Sequence, residues 1–166
     1  MPKRLNVSAG LLLFRRLNGK LEVFLAHPGG PFWKNRDIGA WTIPKGAIDE
    51  GEDPLAAARR EFEEETSIRP AGTFIPLGSI RQKAGKTVYA WAWEGDADSK
   101  RTQSNLMSLE WPRKSGQWVT FPEVDRCEWF EVEEAKQRII PAQAELITRL
   151  QFLLKSSPRA LEQGAS

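Results

Sequence analysis

Apolar and polar residues alternate over two stretches near the start of the chain, and this period of two is typical of β-strands. The alternating apolar positions are Leu5, Val7, Ala9, Leu11 and Leu13 in the first stretch and Leu21, Val23 and Leu25 in the second. Between the stretches, Asn18 and Gly19 form a dipeptide that favours a tight turn. The pattern predicts a β-hairpin or a pair of neighbouring strands.

Shorter apolar runs bounded by turn residues continue along the chain. They predict strands over residues 41–43, 74–81, 86–94, 118–121 and 127–132. After residue 53, and again after residue 140, the apolar residues instead recur with a period close to that of an α-helix.

The first helical segment begins at a good helix start. Asp53 suits the N-cap, Pro54 suits the first helical position, and no helix breaker occurs before Thr66, so we predict a helix over residues 54–66. Its apolar stripe consists of Leu55, Ala58 and Phe62.

The second helical segment begins near Pro141. Its apolar stripe consists of Leu146, Leu150, Leu153 and Leu154. We expect residues 156–166, which are rich in small and polar side chains, to form a flexible tail. Residues 1–155 would then form a single domain.

Three carboxylates share one flank of the first helix. Glu61, Glu64 and Glu65 stand at positions i, i+3 and i+4, where like charges repel by roughly 0.2 to 0.5 kcal/mol per pair. A bound divalent cation would remove this conflict, and Mg²⁺ binds carboxylates together with substrate phosphates. A solvated acidic helix face is the alternative interpretation.

The composition favours a small enzyme of the cell interior. The chain has 166 residues, of which 40% are hydrophobic and 28% charged, as in ordinary globular domains. The lone Cys127 excludes an intramolecular disulfide, and no apolar run approaches the ~20 residues that cross a membrane. The first ten residues lack an apolar signal region, so we expect a cytoplasmic protein without a membrane partner.

The spacing of charged residues around the first helix resembles the motif of the Nudix hydrolases. That motif covers residues 46–68 here, and its fixed positions are matched by Gly46, Glu52, Arg60, Glu61, Phe62, Glu64, Glu65 and Ile68. One position departs from it, because Ser67 stands where the family has a glycine that ends the helix in a left-handed conformation. The preceding residues 41–45 also resemble the usual lead-in of the family.

The resemblance implies roles for the matched residues. Glu61, Glu64 and Glu65, with the carbonyl of Gly46, would ligate Mg²⁺ or Mn²⁺, and we expect more than one ion in the active complex. Arg60 would pair with Glu52 or orient a neighbouring carboxylate. The alternative interpretation is that Arg60 and Glu52 simply form a salt bridge between the loop and the helix. The implied fold is an α/β/α sandwich around a mixed sheet.

Hydrolysis of a phosphoanhydride needs metal ions that neutralise phosphate charge and a base that accepts a proton from water. Glu61, Glu65 or a residue outside the motif can be that base, and the spacing does not choose among them. The net charge is only +2, yet the pI is about 8.8 although the motif helix is acidic. Positive charge is therefore expected around the phosphates.

The attached group would be recognised outside the motif. Along residues 86–94, Tyr89, Trp91 and Trp93 fall on one strand face and small residues on the other. Such an aromatic face either stacks on a nucleobase, with Tyr89 as the best candidate and Trp91 as the second, or forms a hydrophobic layer beneath the last helix. The candidate phosphate-binding residues are Lys45, Lys83 and Lys86.

A second informative segment runs over residues 121–130. It resembles the stretch of asymmetric diadenosine tetraphosphate hydrolases in which a glutamate lies six residues before a strand tryptophan, and Glu123 holds that place before Trp129. The resemblance implies that Glu123 assists metal binding or the attacking water; a solvated turn carboxylate is the alternative. Residues 109–116 differ from that branch and are more similar to bacterial Nudix proteins.

The sequence therefore predicts Mg²⁺-dependent hydrolysis of a nucleoside diphosphate linked to another group, with a dinucleoside polyphosphate such as diadenosine tetraphosphate as the leading substrate. Removal of pyrophosphate from RNA 5′ ends, hydrolysis of oxidised nucleotides and hydrolysis of nucleotide sugars are the alternatives within the enzyme class. A non-catalytic nucleotide sensor is the alternative outside it. His27, the only histidine, is either structural or lines the mouth of the pocket.

Overall fold

The computed structural model describes residues 6–156, apart from the side chain of residue 84. The strands are β1 (Val7–Leu17), β2 (Lys20–Pro28), β3 (Lys45–Ala47), β4 (Phe74–Arg81), β5 (Thr87–Glu94), β6 (Leu106–Glu110), β7 (Trp118–Pro122) and β8 (Val124–Glu131). The helices are α1 (Pro54–Thr66), α2 (Val132–Arg138) and α3 (Ala144–Ser156). Leu5 and the expected tail beyond Ser156 lie outside the described residues.

The main sheet is mixed, as the family resemblance implied. Its strand order is β4-β5-β1-β2-β8, with β3 paired to the start of β1. The β1–β5 pair is parallel, and the other pairs are antiparallel. Strands β6 and β7 form a separate antiparallel hairpin.

Strand β1 is buried on both faces because helices cover both sides of the sheet. On one face, Leu12 and Phe14 join the core beneath α3. On the other face, Leu11 and Leu13 join the core beneath α1, which includes Phe62. The α/β/α sandwich predicted from the sequence is therefore confirmed, and the alternation in β1 separates two cores rather than a core from solvent.

The predicted local signals are present at the turn and at the motif helix. Asn18 and Gly19 join β1 to β2 with φ values of 53° and 77°, as a tight hairpin turn requires. Asp53 caps α1 by accepting a hydrogen bond from the amide of Ala56 at 3.0 Å. Ser67 ends the helix in the left-handed conformation with φ 63°, so serine adopts the geometry of the missing glycine.

Several predicted elements need correction. Residues 41–43 do not form the predicted strand, because Trp41 and Thr42 make only isolated bridges, to Ile139 and Ala26 respectively. The strand of this region is β3, which begins at Lys45. Strand β6 and helix α2 were not predicted. The helix expected from Pro141 begins with a 3-10 turn over Pro141–Gln143 before α3.

The two faces of β5 are separated as the alternation predicted. Val88, Ala90 and Ala92 are buried in the core beneath α3, where small side chains let the helix approach. Trp93 is buried on the opposite side, beneath α1, and its indole donates to the carbonyl of Ala71 at 2.9 Å. The aromatic face therefore does not form the layer beneath the last helix. Within residues 6–156, no helix is long and apolar enough to cross a bilayer.

We expect Asp53→Ala to lower the free energy of unfolding by about 1 kcal/mol, because the amide of Ala56 loses its acceptor. Urea denaturation followed by circular dichroism measures this loss. Asp53→Asn keeps a capping oxygen and is the matched control, so equal losses in both variants would contradict the capping role.

Candidate active site

The guanidinium of Arg60 is the centre of the charged cluster at α1. Its Nε and Nη2 donate to the two carboxylate oxygens of Glu52 at 2.8 and 2.9 Å. Its Nη1 donates to Glu61 at 2.8 Å and to Glu64 at 3.2 Å, and Nη2 also reaches the carbonyl of Ala47 at 3.1 Å. The predicted pairing of Arg60 with Glu52 is present, and the same side chain orients two motif carboxylates.

The approach of α1 to β3 depends on Gly46. A Cβ atom at this position would lie 2.0 Å from Cδ and 2.0 Å from Oε2 of Glu61. Only glycine leaves room for this carboxylate beside the strand. Burial raises the pKa of Glu61, and the bonds from Arg60 oppose this rise.

Glu65 is the most buried of the motif carboxylates, with 3% of its surface exposed. Its Oε2 is buried and has no hydrogen-bond partner. Burial raises the pKa of Glu65 well above its ordinary value, and the charges of Glu123 and Glu61 raise it further. Lys45 opposes this rise. A buried acceptor oxygen without a donor, beside two other carboxylates, is suited to binding a cation.

Lys45 faces the same carboxylates from β3. Burial lowers its pKa, and the charge of Lys86 lowers it further, whereas Glu65, Glu123 and Glu61 oppose the shift. Two of the three predicted phosphate-binding lysines, Lys45 and Lys86, therefore lie close enough for their charges to interact. Their joint positive charge stands beside the acidic cluster, as expected for a site that holds both cations and phosphates.

Glu123 joins this cluster from the end of β7, far from the motif in sequence. Its carboxylate accepts a hydrogen bond from Nδ2 of Asn105 at 2.8 Å, and the amide of Glu123 donates to the carbonyl of Asn105 at 2.9 Å. The amide of Asn105 in turn donates to the carbonyl of Glu64 on α1 at 2.9 Å. Asn105 thus positions Glu123, and the sequence patterns carried no signal for it.

The side chains fit a hard divalent cation in their chemistry, because they offer carboxylate oxygens and one of these lacks a partner. Within residues 6–156, no three His, Cys, Asp or Glu side chains stand close enough together to form a ready metal cluster. Arg60 instead holds Glu61 and Glu64 at its own guanidinium. Metal binding therefore competes with Arg60 for these oxygens.

The predicted aromatic residues lie on the flank of the sheet formed by β5. Tyr89 pairs with Ala9 of β1, and Ala9 pairs with Gly46 on its other side, so the three residues form one row across the face that carries α1. Tyr89 is 40% exposed, whereas Trp91 is half-buried and packs against the core beneath α1. Lys83 is exposed in the 3-10 turn before β5. Tyr89 is therefore the more accessible candidate.

A cavity of about 290 Å³ lies on the other flank, between residues 28–33 and the β6–β7 hairpin. We call it the hairpin pocket. Its lining includes Phe32, Trp33, Met107, Leu109, Phe121 and Glu123. Among these residues, only Glu123 was predicted from the sequence to have a role. The Gly29-Gly30 pair, which precedes the loop, was the sequence feature that could have pointed to this pocket.

His27 is structural. It is fully buried, and its ring nitrogens lie 2.9 Å from a carboxylate oxygen of Asp125 and 2.6 Å from the carbonyl of Arg36. The histidine therefore ties the loop that borders the hairpin pocket to β8 and does not line the pocket mouth.

Comparison with known families agrees with this site. The model of the NUDIX domain matches residues 4–150, so the chain belongs to the Nudix family. The chain is 36% identical over 83 residues to an RNA pyrophosphohydrolase of Bradyrhizobium diazoefficiens, a match that covers 48% of each protein. It is 43% identical over 61 residues to the asymmetrical bis(5′-nucleosyl)-tetraphosphatase of Caenorhabditis elegans, which covers 37% of this chain and 40% of the relative. The matches thus span less than half the length of these curated relatives.

Solved structures extend the similarity to most of the chain. A binary complex of the C. elegans Ap4A hydrolase superposes with a TM-score of 0.63 and 25% identity, covering 90% of this chain and 98% of that one. The NUDIX domain of Shewanella oneidensis NrtR, complexed with ADP ribose, gives a TM-score of 0.61 at 18% identity, covering 93% of this chain and 90% of that chain. The second likeness shows the fold alone.

We expect Glu65→Gln to stabilise the metal-free protein at pH 7. In the unfolded chain Glu65 ionises near its ordinary pKa of 4.5, whereas in the folded protein it ionises at higher pH. The wild type therefore loses stability as the pH rises from about 4.5 through the folded pKa, and the glutamine variant does not. Thermal unfolding in EDTA should show the variant melting higher at pH 7, by about 2 to 4 °C for each kcal/mol gained.

The difference between the two proteins should vanish near pH 4, and Mg²⁺ should stabilise the wild type more than the variant. A variant that is less stable than the wild type at pH 7, with no dependence on pH, would contradict the assignment of Glu65 as a strained acceptor.

We expect Gly46→Ala to weaken binding of Mn²⁺ at least tenfold, because the new methyl group displaces the carboxylate of Glu61. Electron paramagnetic resonance of free Mn²⁺ measures the affinity. Gly95→Ala is the matched control, since a Cβ there meets its neighbours at ordinary distances of 3.4 to 3.5 Å. Equal affinity in both variants would rule out Glu61 as a ligand.

Proposed function

We propose that this protein is a Nudix hydrolase that splits a phosphoanhydride bond in a nucleoside diphosphate linked to another group. The preferred substrate is a dinucleoside polyphosphate such as diadenosine tetraphosphate, with ATP and AMP as products. The observation that carries the proposal is the connection of Glu123 to the motif helix through Asn105, because it joins that helix to the glutamate singled out by the likeness to asymmetric hydrolases.

In the proposed reaction, Glu61, Glu64 and Glu65, with the carbonyl of Gly46, hold the divalent ions. A bound Mg²⁺ or Mn²⁺ would neutralise phosphate charge and acidify the attacking water. Arg60 keeps two of these carboxylates oriented through its bonds to them.

Lys45 lies next to the same carboxylates, and Lys86 lies near enough to Lys45 for their charges to interact. We propose that both lysines bind the anionic phosphate oxygens. Water attacks phosphorus, the bond from phosphorus to the bridging oxygen breaks, and a carboxylate takes the proton from water. Glu61, Glu65 and Glu123 are the candidates for this base, because the carboxylates of all three act electrostatically on one another.

Two observations support the leading substrate. The likeness to the C. elegans Ap4A hydrolase covers 90% of the chain. The charged cluster also has an accessible aromatic residue, Tyr89, on one flank and the hairpin pocket on the other, an arrangement suited to a substrate with a nucleoside at each end.

Removal of pyrophosphate from RNA 5′ ends is the second candidate. It is favoured by relatives with that name, among them the RNA pyrophosphohydrolase of Roseobacter denitrificans, 41% identical over 54 residues. That match covers 32% of this chain and 31% of the relative. We rank this candidate second because the structural likeness to the Ap4A hydrolase extends over 90% of the chain.

A substrate panel with Mg²⁺ tests the proposal. It contains diadenosine tetraphosphate, nucleoside triphosphates including an oxidised one, nucleotide sugars and 5′-triphosphorylated RNA, with the products resolved by chromatography. We expect diadenosine tetraphosphate to be cleaved fastest, into ATP and AMP.

Glu64→Gln should lower kcat at least a hundredfold, because Glu64 offers one of the carboxylates for the ions and its exposed position spares the fold. Glu63→Gln, the neighbouring exposed glutamate on the same helix, is the matched control and should keep full activity. Faster turnover of RNA would favour the second candidate, and no turnover of any substrate would favour a nucleotide sensor.

A further inference from the structure

The hairpin pocket has the size of a binding site for one ring system. Its volume of about 290 Å³ lies at the lower end of the ~300 to 1,000 Å³ typical of small-molecule sites. It is therefore too small for a dinucleotide and suited to a single nucleobase with part of its sugar.

The lining of the pocket is apolar and aromatic. Phe121 and Met107 pair across the hairpin and lie on the same face, and Phe32 and Trp33 face them from the loop. Met107 and Phe32 are 40% and 48% exposed, so apolar surface is left open to solvent at a concave place. Aromatic faces of this kind stack on the planar rings of nucleobases.

The loop wall is fixed in place against the hairpin. Gly30 has φ 95°, and a Cβ there would lie 2.6 Å from the ring of Phe121. The amide of Gly29 donates to the carbonyl of Glu123 at 2.9 Å. The guanidinium of Arg36 lies 4.2 Å from the centre of the Phe32 ring, which holds that ring in place. A pocket that is already formed loses little entropy when a ligand binds.

Glu123 connects the pocket to the charged cluster. It lines the cavity, and its carboxylate accepts a hydrogen bond at 2.8 Å from Asn105, whose backbone amide donates to the carbonyl of Glu64 in α1 at 2.9 Å. A nucleobase in the pocket would therefore hold its phosphates beside the motif carboxylates of α1.

We propose that the hairpin pocket is the subsite for one nucleobase of the substrate, with Phe121 as its stacking surface and Met107 as its adaptable wall. This inference rests on the proposed function, since it assigns a place to the nucleoside of that substrate. Tyr89, on the opposite flank of the cluster, then serves the second nucleoside of a two-ended substrate.

The test compares the binding of AMP with that of ribose 5-phosphate, which lacks the base, by titration calorimetry. In Phe121→Leu we expect the Kd for AMP to rise about 5-fold to 150-fold, the factor that corresponds to about 1 to 3 kcal/mol of stacking. The Kd for ribose 5-phosphate should not change, because leucine keeps the apolar volume and removes only the aromatic face.

Trp118→Leu is the matched control. Trp118 lies on the same hairpin but pairs with Glu110 on the face away from the pocket, and it is 68% exposed. We expect no change in either Kd. If Phe121→Leu fails to fold by circular dichroism, Met107→Gln replaces it, since an exposed Met107 is not needed for the core and a polar side chain weakens the apolar wall.

Equal Kd values for AMP in the wild type, Phe121→Leu and Met107→Gln would overturn the proposal. So would a loss of AMP binding only in Tyr89→Leu, which would place the base on the other flank. Diadenosine tetraphosphate turnover, measured on the same proteins, separates the two claims. Turnover by the wild type with AMP binding independent of Phe121 would reject the pocket and keep the hydrolase. AMP binding dependent on Phe121 without turnover would reject the hydrolase and keep the pocket.

Discussion

The bonds from one guanidinium hold the charged side of this protein together. Arg60 engages Glu52 through two nitrogens and Glu61 and Glu64 through a third, and it also reaches the backbone of β3. Without this positive charge, neighbouring carboxylates on one helix flank would repel one another and the loop before α1 would lose its anchor. The arrangement leaves Glu65 with an unpartnered buried oxygen, and burying such an oxygen lowers the stability of the fold.

The two cores of the sandwich determine where this cluster lies. Strand β1 is buried on both faces, so α1 and α3 must both pack against it, and Gly46 on the neighbouring β3 allows α1 to come close enough for Glu61 to reach the strand. The central strand β1 is a rigid support for the elements that carry the charged side chains, and such support is needed to position several polar side chains together. The candidate substrate-binding residues outside the motif, Tyr89 and Phe121, lie on β5 and on the β6–β7 hairpin.

The two flanks of the charged cluster, one at β5 and one at β2 and β8, differ in structure. On the β5 flank, Tyr89 projects from a regular strand whose other face packs under α3. On the β2 and β8 flank, the wall is a loop held by the buried His27 and by glycines that allow contact with Phe121. The positions of strand residues are constrained by pairing with neighbouring strands, whereas loops and hairpins tolerate more change in sequence.

Sequence alone determined the features that depend on neighbours a few residues apart. The helix over residues 54–66, its Asp53 cap, the Asn18-Gly19 turn and the strand over residues 74–81 all rest on local capping, turn chemistry or periodicity, and the structure has each of them. The motif spacing also predicted that Glu61 and Glu64 lie near each other on one helix flank, and both accept a hydrogen bond from Arg60.

Only the tertiary structure decided what depends on distant segments. It tied Glu123 to the backbone of Glu64 in α1 through Asn105 and formed the hairpin pocket between residues 28–33 and the β6–β7 hairpin. It also replaced the strand expected at residues 41–43 by bridges to Ala26 and Ile139. These contacts join residues that are far apart in sequence, so no local sequence pattern predicts them. They form only when both cores have packed.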